Sequence, residues 1–327
     1  MNSNRIARIL NSGYRAVLVT TGGGSGALNA LLTTPGASRF IADAQIPYSP
    51  EALSSYLGED VEHSCSPETA RKLARTAFKF QVSSFKFLAV SCTAALQTDR
   101  ERRGDDRAFI CIKTAEAEKL YALCFSKASR AEQEALLSDW LLVLVAQAVG
   151  AERGLMLPGS FNPVHQGHCN LLKVAEEMTG LRGVFELSCA NVDKPDIPEE
   201  EILRRAAAIR DIPVALTHAP RFVHKARLFP KTTFVLGYDT AERLIAYEKP
   251  GEWEFFQTLE IMFLVAGRFF QGLEAVGACD DRAQRARLQN FQTLESLNLP
   301  SGFEMLFQAI PESKFREDIS STQLRMS

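Results

Sequence analysis

The chain has 327 residues, 46% of them hydrophobic and 23% charged. That length suggests about two domains, and the composition excludes disorder, collagen-like repeats and a disulfide scaffold. Lys and Arg number 37 against 39 Asp and Glu, a formal charge of −2, which gives no electrostatic ground for broad nucleic-acid or membrane binding.

Residues 14–21 (YRAVLVTT) form a short apolar run that stops at the glycine turn 22–26 and resumes as ALNALL, residues 27–32. Strand, glycine turn and helix is a β-loop-α pattern. A helix follows Ser66-Pro67-Glu68, where Ser66 can cap and Pro67 suits the first turn. Residues 85–91 (FKFLAVS) and 108–113 (AFICIK) read as strands, and 131–149 as a helix. The boundary between domains is expected in the 150–154 segment, which gives domains 1–152 and 153–327.

The alternation restarts with a strand at 154–157, a turn at Pro158-Gly159-Ser160 and a helix over about 167–178, with Gly180 placed as its C-cap. Further strands are expected at 183–187, 232–236 and 260–265, and helices at 198–209 and 240–247. Strands alternating with helices argue for a parallel sheet with crossover helices. The polar stretch 270–300 reads as helical.

The seven cysteines (Cys65, Cys92, Cys111, Cys124, Cys169, Cys189 and Cys279) are odd in number and widely spaced, with no CxxC pair. They read as reduced thiols of a cytosolic protein, and no metal site is expected. The first ten residues lack a signal-peptide core. The most apolar run, 140–150 (WLLVLVAQAVG), falls far short of the ~20 residues a membrane helix needs. A cytoplasmic protein without membrane or nucleic-acid partners is expected.

The chemistry concentrates in residues 158–168, PGSFNPVHQGH, between a strand and a helix, where an α/β sheet binds phosphates. Gly159 and Gly167 allow a ligand close to the backbone, and a helix start offers free N–H donors. His165 and His168, three apart, share a face of the first turn. Two imidazoles there can donate to a triphosphate and stabilise charge as the bond to pyrophosphate breaks.

GSFNPVHQGH resembles the nucleotidyltransferase signature GxFxPxHxGH, and residues 319–325 (ISSTQLR) resemble that superfamily's ISSTxxR. The resemblance implies a Rossmann-like parallel sheet over about 155–325. It implies a nucleotide site at Gly159, Ser160, Phe161, Asn162, Gly167, Ser320, Ser321 and Thr322, with His165, His168 and Arg325 on the phosphates. Three further segments look like the nicotinamide-mononucleotide adenylyltransferase branch. SCANVDKP (188–195) supplies Lys194 as a phosphate contact. Gly237-Tyr238-Asp239 is similar to a GxD turn beside the nucleoside, although Asp239 can also be read as a helix N-cap. VAGR (265–268) brings Arg268 to the nucleotide pocket. Asn162 favours the same branch. Tyr247 and Trp253 can stack on a nicotinamide ring, but core packing is the favoured reading of each. The chain ends two residues after Arg325, where the family usually continues its helix.

The first region, about 14–150, resembles the CinA-type nicotinamide-nucleotide amidase domain through ALLTTPGAS (30–38), IPYSPEA (46–52) and SPETARKLA (66–74). The family's nucleophile position falls near Gly22, Tyr48 matches its Tyr, and Leu53 stands where it has Lys. CTAALQTDRERRGDDR (92–107) replaces its later glycine-rich loop. A nucleophilic Ser needs a nearby base or cation, so an inactive amidase-like domain is expected, with Gly22, Ser25 and Tyr48 as its vestigial site. Ser25 or Thr21 as a relocated nucleophile, and a phosphate held on the N–H groups of residues 22–26, are the alternatives.

The combined expectation is an α/β protein of two domains, a CinA-like one followed by a Rossmann-like nucleotidyltransferase. Its reaction would be adenylyl transfer from ATP, with Mg²⁺, to nicotinamide mononucleotide. Transfer to nicotinate mononucleotide or a phospho-alcohol, and a non-catalytic nucleotide-binding regulator, are the alternatives. A homo-oligomer through the CinA-like domain is expected.

Overall fold

The structure is a computed structural model that describes residues 2–80, 85–99, 104–190, 196–269 and 291–316. In chain order its elements begin α1 (Ser3–Leu10), β1 (Tyr14–Thr21), α2 (Ser25–Leu32), β2 (Ile41–Gln45), α3 (Pro50–Leu57), α4 (Pro67–Phe78), β3 (Lys86–Ala95), β4 (Arg107–Lys113), β5 (Glu118–Cys124) and α5 (Arg130–Ala148). They continue with β6 (Gly154–Pro158), α6 (Gln166–Thr179), β7 (Gly183–Ser188), α7 (Glu199–Ala207), β8 (Val214–Thr217), α8 (Phe222–Leu228) and β9 (Thr232–Gly237). The last are α9 (Tyr238–Tyr247), α10 (Pro250–Thr258), β10 (Met262–Ala266), β11 (Arg268–Phe269), β12 (Phe291–Gln292) and β13 (Phe307–Ile310).

The chain divides into two compact units, one of Met1–Arg153 with Phe185–His218, the other of Gly154–Val184 with Ala219–Ser327. Residues 185–218 group with the first unit. The cause is pairing: β8 lies antiparallel to β5, Leu120 opposite Leu216, and the Trp140 indole donates to the Asp211 carbonyl at 2.9 Å.

In the first unit the strand order is β7-β8-β5-β4-β3-β1-β2. β2, β1 and β3 are parallel, whereas β3, β4 and β5 are antiparallel neighbours. This sheet is mixed. β4 and β5 are joined by residues 114–117 alone, too few for a crossover helix. Val17, Val19 and Ala89 pack on Leu73 and Ala77 of α4 and on Leu53 of α3. The run Trp140 to Ala146 is buried all round, as a helix apolar on every face must be.

The second unit is a parallel sheet ordered β13-β10-β9-β6. Phe234 of β9, Phe263 of β10 and Phe307 of β13 stack in sequence across it, at centroid distances of 6.2 and 5.1 Å. Trp253 and Phe256 of α10 close this cluster edge-on. Each buried aromatic removes enough apolar surface to contribute about 1.5–3 kcal/mol. Trp253 is therefore core, and Tyr247 is exposed. Gly180 adopts φ +68° after α6, as its C-cap role requires. Of the 270–300 stretch expected to be helical, residues 270–290 lie outside the described residues; in the remainder β12 pairs with β11, Gln292 opposite Arg268, and a short 3-10 turn follows at Leu294–Ser296. Among the described residues no helix is long and apolar enough to cross a membrane.

Candidate active site

Parallel strands that end together leave their following loops along one edge. In the second unit Ala266 lies opposite Gly237 on one side and Ile310 on the other, and Met156 lies opposite Phe234. The loop after β6, the Gly237 turn and Arg268 consequently share the carboxyl edge.

The loop after β6 is tightly built. A Cβ on Gly159 would stand 2.6 Å from the Phe161 ring, so any side chain there would displace that ring. Phe161 itself is buried and adopts φ +41°, a backbone conformation that costs a bulky residue energy and collects at functional sites. Its ring meets His168 edge-on at 5.1 Å. The Asn162–Pro163 peptide is cis, and Ser160 is exposed.

His165 is the N-cap of the 14-residue α6. Its backbone N–H donates to Nδ1 of His168 at 3.2 Å, its carbonyl accepts the His168 N–H at 3.0 Å, and the two rings stack at 3.7 Å. Burial, then the neighbouring His165, pushes the His168 pKa down to about 4. His168 is thus neutral at pH 7, and an Nδ1 that accepts leaves the proton on Nε2 as a donor. Gly167 is buried in the first turn of α6.

At the neighbouring strand end Gly237 is the N-cap of α9, and nothing lies within 4 Å of the point where its Cβ would be. Asp239 is not the cap. It lies in the first turn of α9 and pairs with Arg268, each side chain about two-fifths exposed. Lys194, Ser320, Ser321, Thr322 and Arg325 lie outside the described residues. Among the described residues no group of three or more His, Cys, Asp or Glu side chains is placed to hold a metal ion.

Residues 156–327, just over half of the chain, match the cytidylyltransferase-like family. The chain belongs to that family. The cytidylyltransferase-like match supports nucleotidyltransferase activity on nucleotide substrates and spans the histidine turn, Gly237, Asp239, Arg268 and the ISSTQLR segment. No curated protein matches the sequence significantly. Among solved structures, this cytidylyltransferase-like chain is similar to a CinA superfamily protein from Klebsiella pneumoniae, with 13% identity over 46% of this chain and 100% of that one, at a TM-score of 0.40. It is also similar to the competence/damage-inducible protein CihA from Agrobacterium tumefaciens, with 18% identity over 45% and 93% of the two chains and a TM-score of 0.38.

The first unit of this family member carries a second cluster. A Cβ on Gly22, at φ +77°, would stand 1.9 Å from the Ala94 carbonyl oxygen, so no side chain fits at the expected nucleophile position. The N–H groups of Gly24 and Gly26 donate to the Glu134 carboxylate at 2.7 and 3.0 Å, and the Ser25 hydroxyl donates to it at 3.3 Å. Arg130 donates to the Gly22 carbonyl at 3.0 Å and to the Tyr48 hydroxyl at 3.3 Å. Gly22, Ser25 and Tyr48 are thus gathered around two side chains of α5. Glu134 and Arg130 carry no motif, and more than a hundred positions separate Glu134 from the glycines, so spacing gives no sign of them.

Proposed function

We propose that this chain transfers the adenylyl group of ATP to nicotinamide mononucleotide, yielding NAD and pyrophosphate. The observation that carries this reading is the histidine turn at the carboxyl edge of the parallel sheet, with a neutral His168 whose Nε2–H is free of the turn's own hydrogen bond. A phosphate oxygen of the acceptor attacks the α-phosphorus in line, the new P–O bond forms, and the bond to pyrophosphate breaks. Positioning and hydrogen-bond donation to the developing charge supply the catalysis, with no covalent enzyme intermediate.

His165 and His168 donate to the triphosphate, and Gly159, Ser160, Phe161, Asn162 and Gly167 shape the backbone around it. Asp239 and Arg268 hold the nucleoside side. Lys194, Arg325 and Ser320 to Thr322 are assigned to the phosphates by their resemblance to the family motifs. Mg²⁺ enters with ATP as part of the substrate. The acceptor is inferred from GSFNP, GYD and VAGR taken together. Self-association through the first unit completes the proposal, and a monomer in light scattering would remove that part.

The deciding experiment follows pyrophosphate release with ATP or CTP against nicotinamide mononucleotide, nicotinate mononucleotide and phosphocholine. Turnover with ATP and nicotinamide mononucleotide is expected to be at least tenfold faster than with any other pair. A faster CTP reaction would reassign the nucleotide. Nucleotide binding with no turnover on any acceptor would make the chain a regulator.

A further inference from the structure

In the first unit, β4 and β5 run antiparallel with Arg107 opposite Cys124 and Phe109 opposite Ala122. Directly opposed residues share a face, so these four side chains point the same way. They form the floor of a cavity of about 640 Å³ walled by the segment 62–67 and by Leu203 and Ala207 of α7. The volume falls within the range of small-molecule sites, roughly 300–1,000 Å³. Phe109, Ala122, Leu203 and Ala207 make one side apolar.

Among the described residues that line the cavity, Arg107 is the cation. Asp105 is held by Arg210 at 3.1 Å, and the Glu62 carboxylate stands almost fully in solvent at the rim. Arg107 has no carboxylate partner among the described residues. A half-buried guanidinium with no carboxylate on it among the described residues, beside a floor of Phe and Ala, suits a ligand that supplies negative charge and an apolar body.

We infer that this cavity binds a small organic anion, a carboxylate or phosphate monoester, with its charged group on Arg107 and its apolar body against Phe109 and Leu203. The site lies apart from the nucleotidyl-transfer residues in sequence and in unit, and it does not rest on their assignment.

Cys65 reports occupancy. It lines the cavity half-exposed, with its thiol 3.6 Å from the Arg107 carbonyl and 3.7 Å from that of Thr93. The full chain is alkylated with iodoacetamide, and the rate at Cys65 is read by peptide mass spectrometry with benzoate, phenyl phosphate, benzamide or inorganic phosphate present. Benzoate and phenyl phosphate should each slow Cys65 saturably, and whichever acts at the lower concentration identifies the charged group. Benzamide and inorganic phosphate should be at least about tenfold weaker. Arg107→Gln should weaken the organic anions by about tenfold or more, and Leu203→Trp should abolish protection by filling the cavity. No saturable protection by either organic anion would overturn the inference. So would equal protection by benzamide, equal protection by inorganic phosphate, or an Arg107→Gln protein that binds as the parent does. If Arg107→Gln fails to fold, the four-ligand comparison on the parent chain still decides.

Discussion

The backbone N–H of His165 donates to Nδ1 of His168, and the two imidazoles stack 3.7 Å apart. One hydrogen bond thereby fixes the tautomer of the second histidine and prevents its protonation on that nitrogen without loss of the bond.

The first consequence is a pH dependence. His168 has a folded pKa near 4 against an ordinary 6.5, so the unfolded chain takes up this proton first as pH falls. Stability from this group is complete above pH 6.5 and is lost as pH drops toward 4, by on the order of 1–2 kcal/mol after allowance for partial exposure. Denaturant melts at pH 7 and 4.5, compared between parent and His168→Gln, should show a smaller acid loss in the variant. An NMR titration placing His168 near 6.5 would contradict this.

Replacing His168 by Ala removes the Nε2–H donor proposed for the triphosphate. kcat should fall by about 10²–10³-fold, as for other preorganised donors to developing charge, with a smaller change in KM. Pyrophosphate release at the parental rate would remove His168 from the chemistry.

Asp239 and Arg268 join the strand ends of β9 and β10 through an ion pair two-fifths exposed, and such pairs contribute no more than about 1 kcal/mol to stability. Arg268→Met should therefore leave the melting midpoint almost unchanged while raising KM for the nucleotide about tenfold or more. A large loss of stability with unchanged KM would make the pair structural.

Glu134 accepts from the Gly24 and Gly26 N–H groups, so Glu134→Ala leaves two donors without their carboxylate. A cost of about 1–3 kcal/mol is expected from calorimetry, with Glu134→Gln intermediate because it keeps one amide oxygen. Addition of inorganic phosphate should restore part of the Glu134→Ala loss if the nest accepts an external anion.

Gly22→Ser is the apparent restoration of an amidase nucleophile. The Ala94 carbonyl stands where the new Cβ would go, and the backbone is left-handed. The variant should lose at least ~2 kcal/mol and release no ammonia from nicotinamide mononucleotide.

Much of this was legible in the residues. YRAVLVTT is a strand over the full expected range, and Ser66 caps α4 through the Thr69 N–H. Gly180 ends α6, and the histidine turn stands between strand and helix. These features depend on local patterns: period, capping and glycine turns. β5 and β8 are hidden because short strands buried along most of their length show little alternation, β2 and β13 stand at the sheet edges without clean alternation, and β8 pairs with β5, distant in sequence. The same distance hides the plug at the glycine turn. An apolar-to-polar count along α5 does not show that Glu134 satisfies backbone donors near residue 24. The extended backbone at 291–292 likewise follows from pairing with Arg268 and Phe269, which polarity alone cannot reveal.

The chain has two tryptophans. Trp140 is buried in the first unit on α5, with its indole on the Asp211 carbonyl, and Trp253 is buried among the phenylalanines of the second. Each unit thus contains its own fluorophore in a different quenching environment. Trp140→Phe and Trp253→Phe convert the protein into two single-colour versions of itself, and the order in which their emission shifts during denaturation reads out whether the halves melt as one cooperative block or in succession.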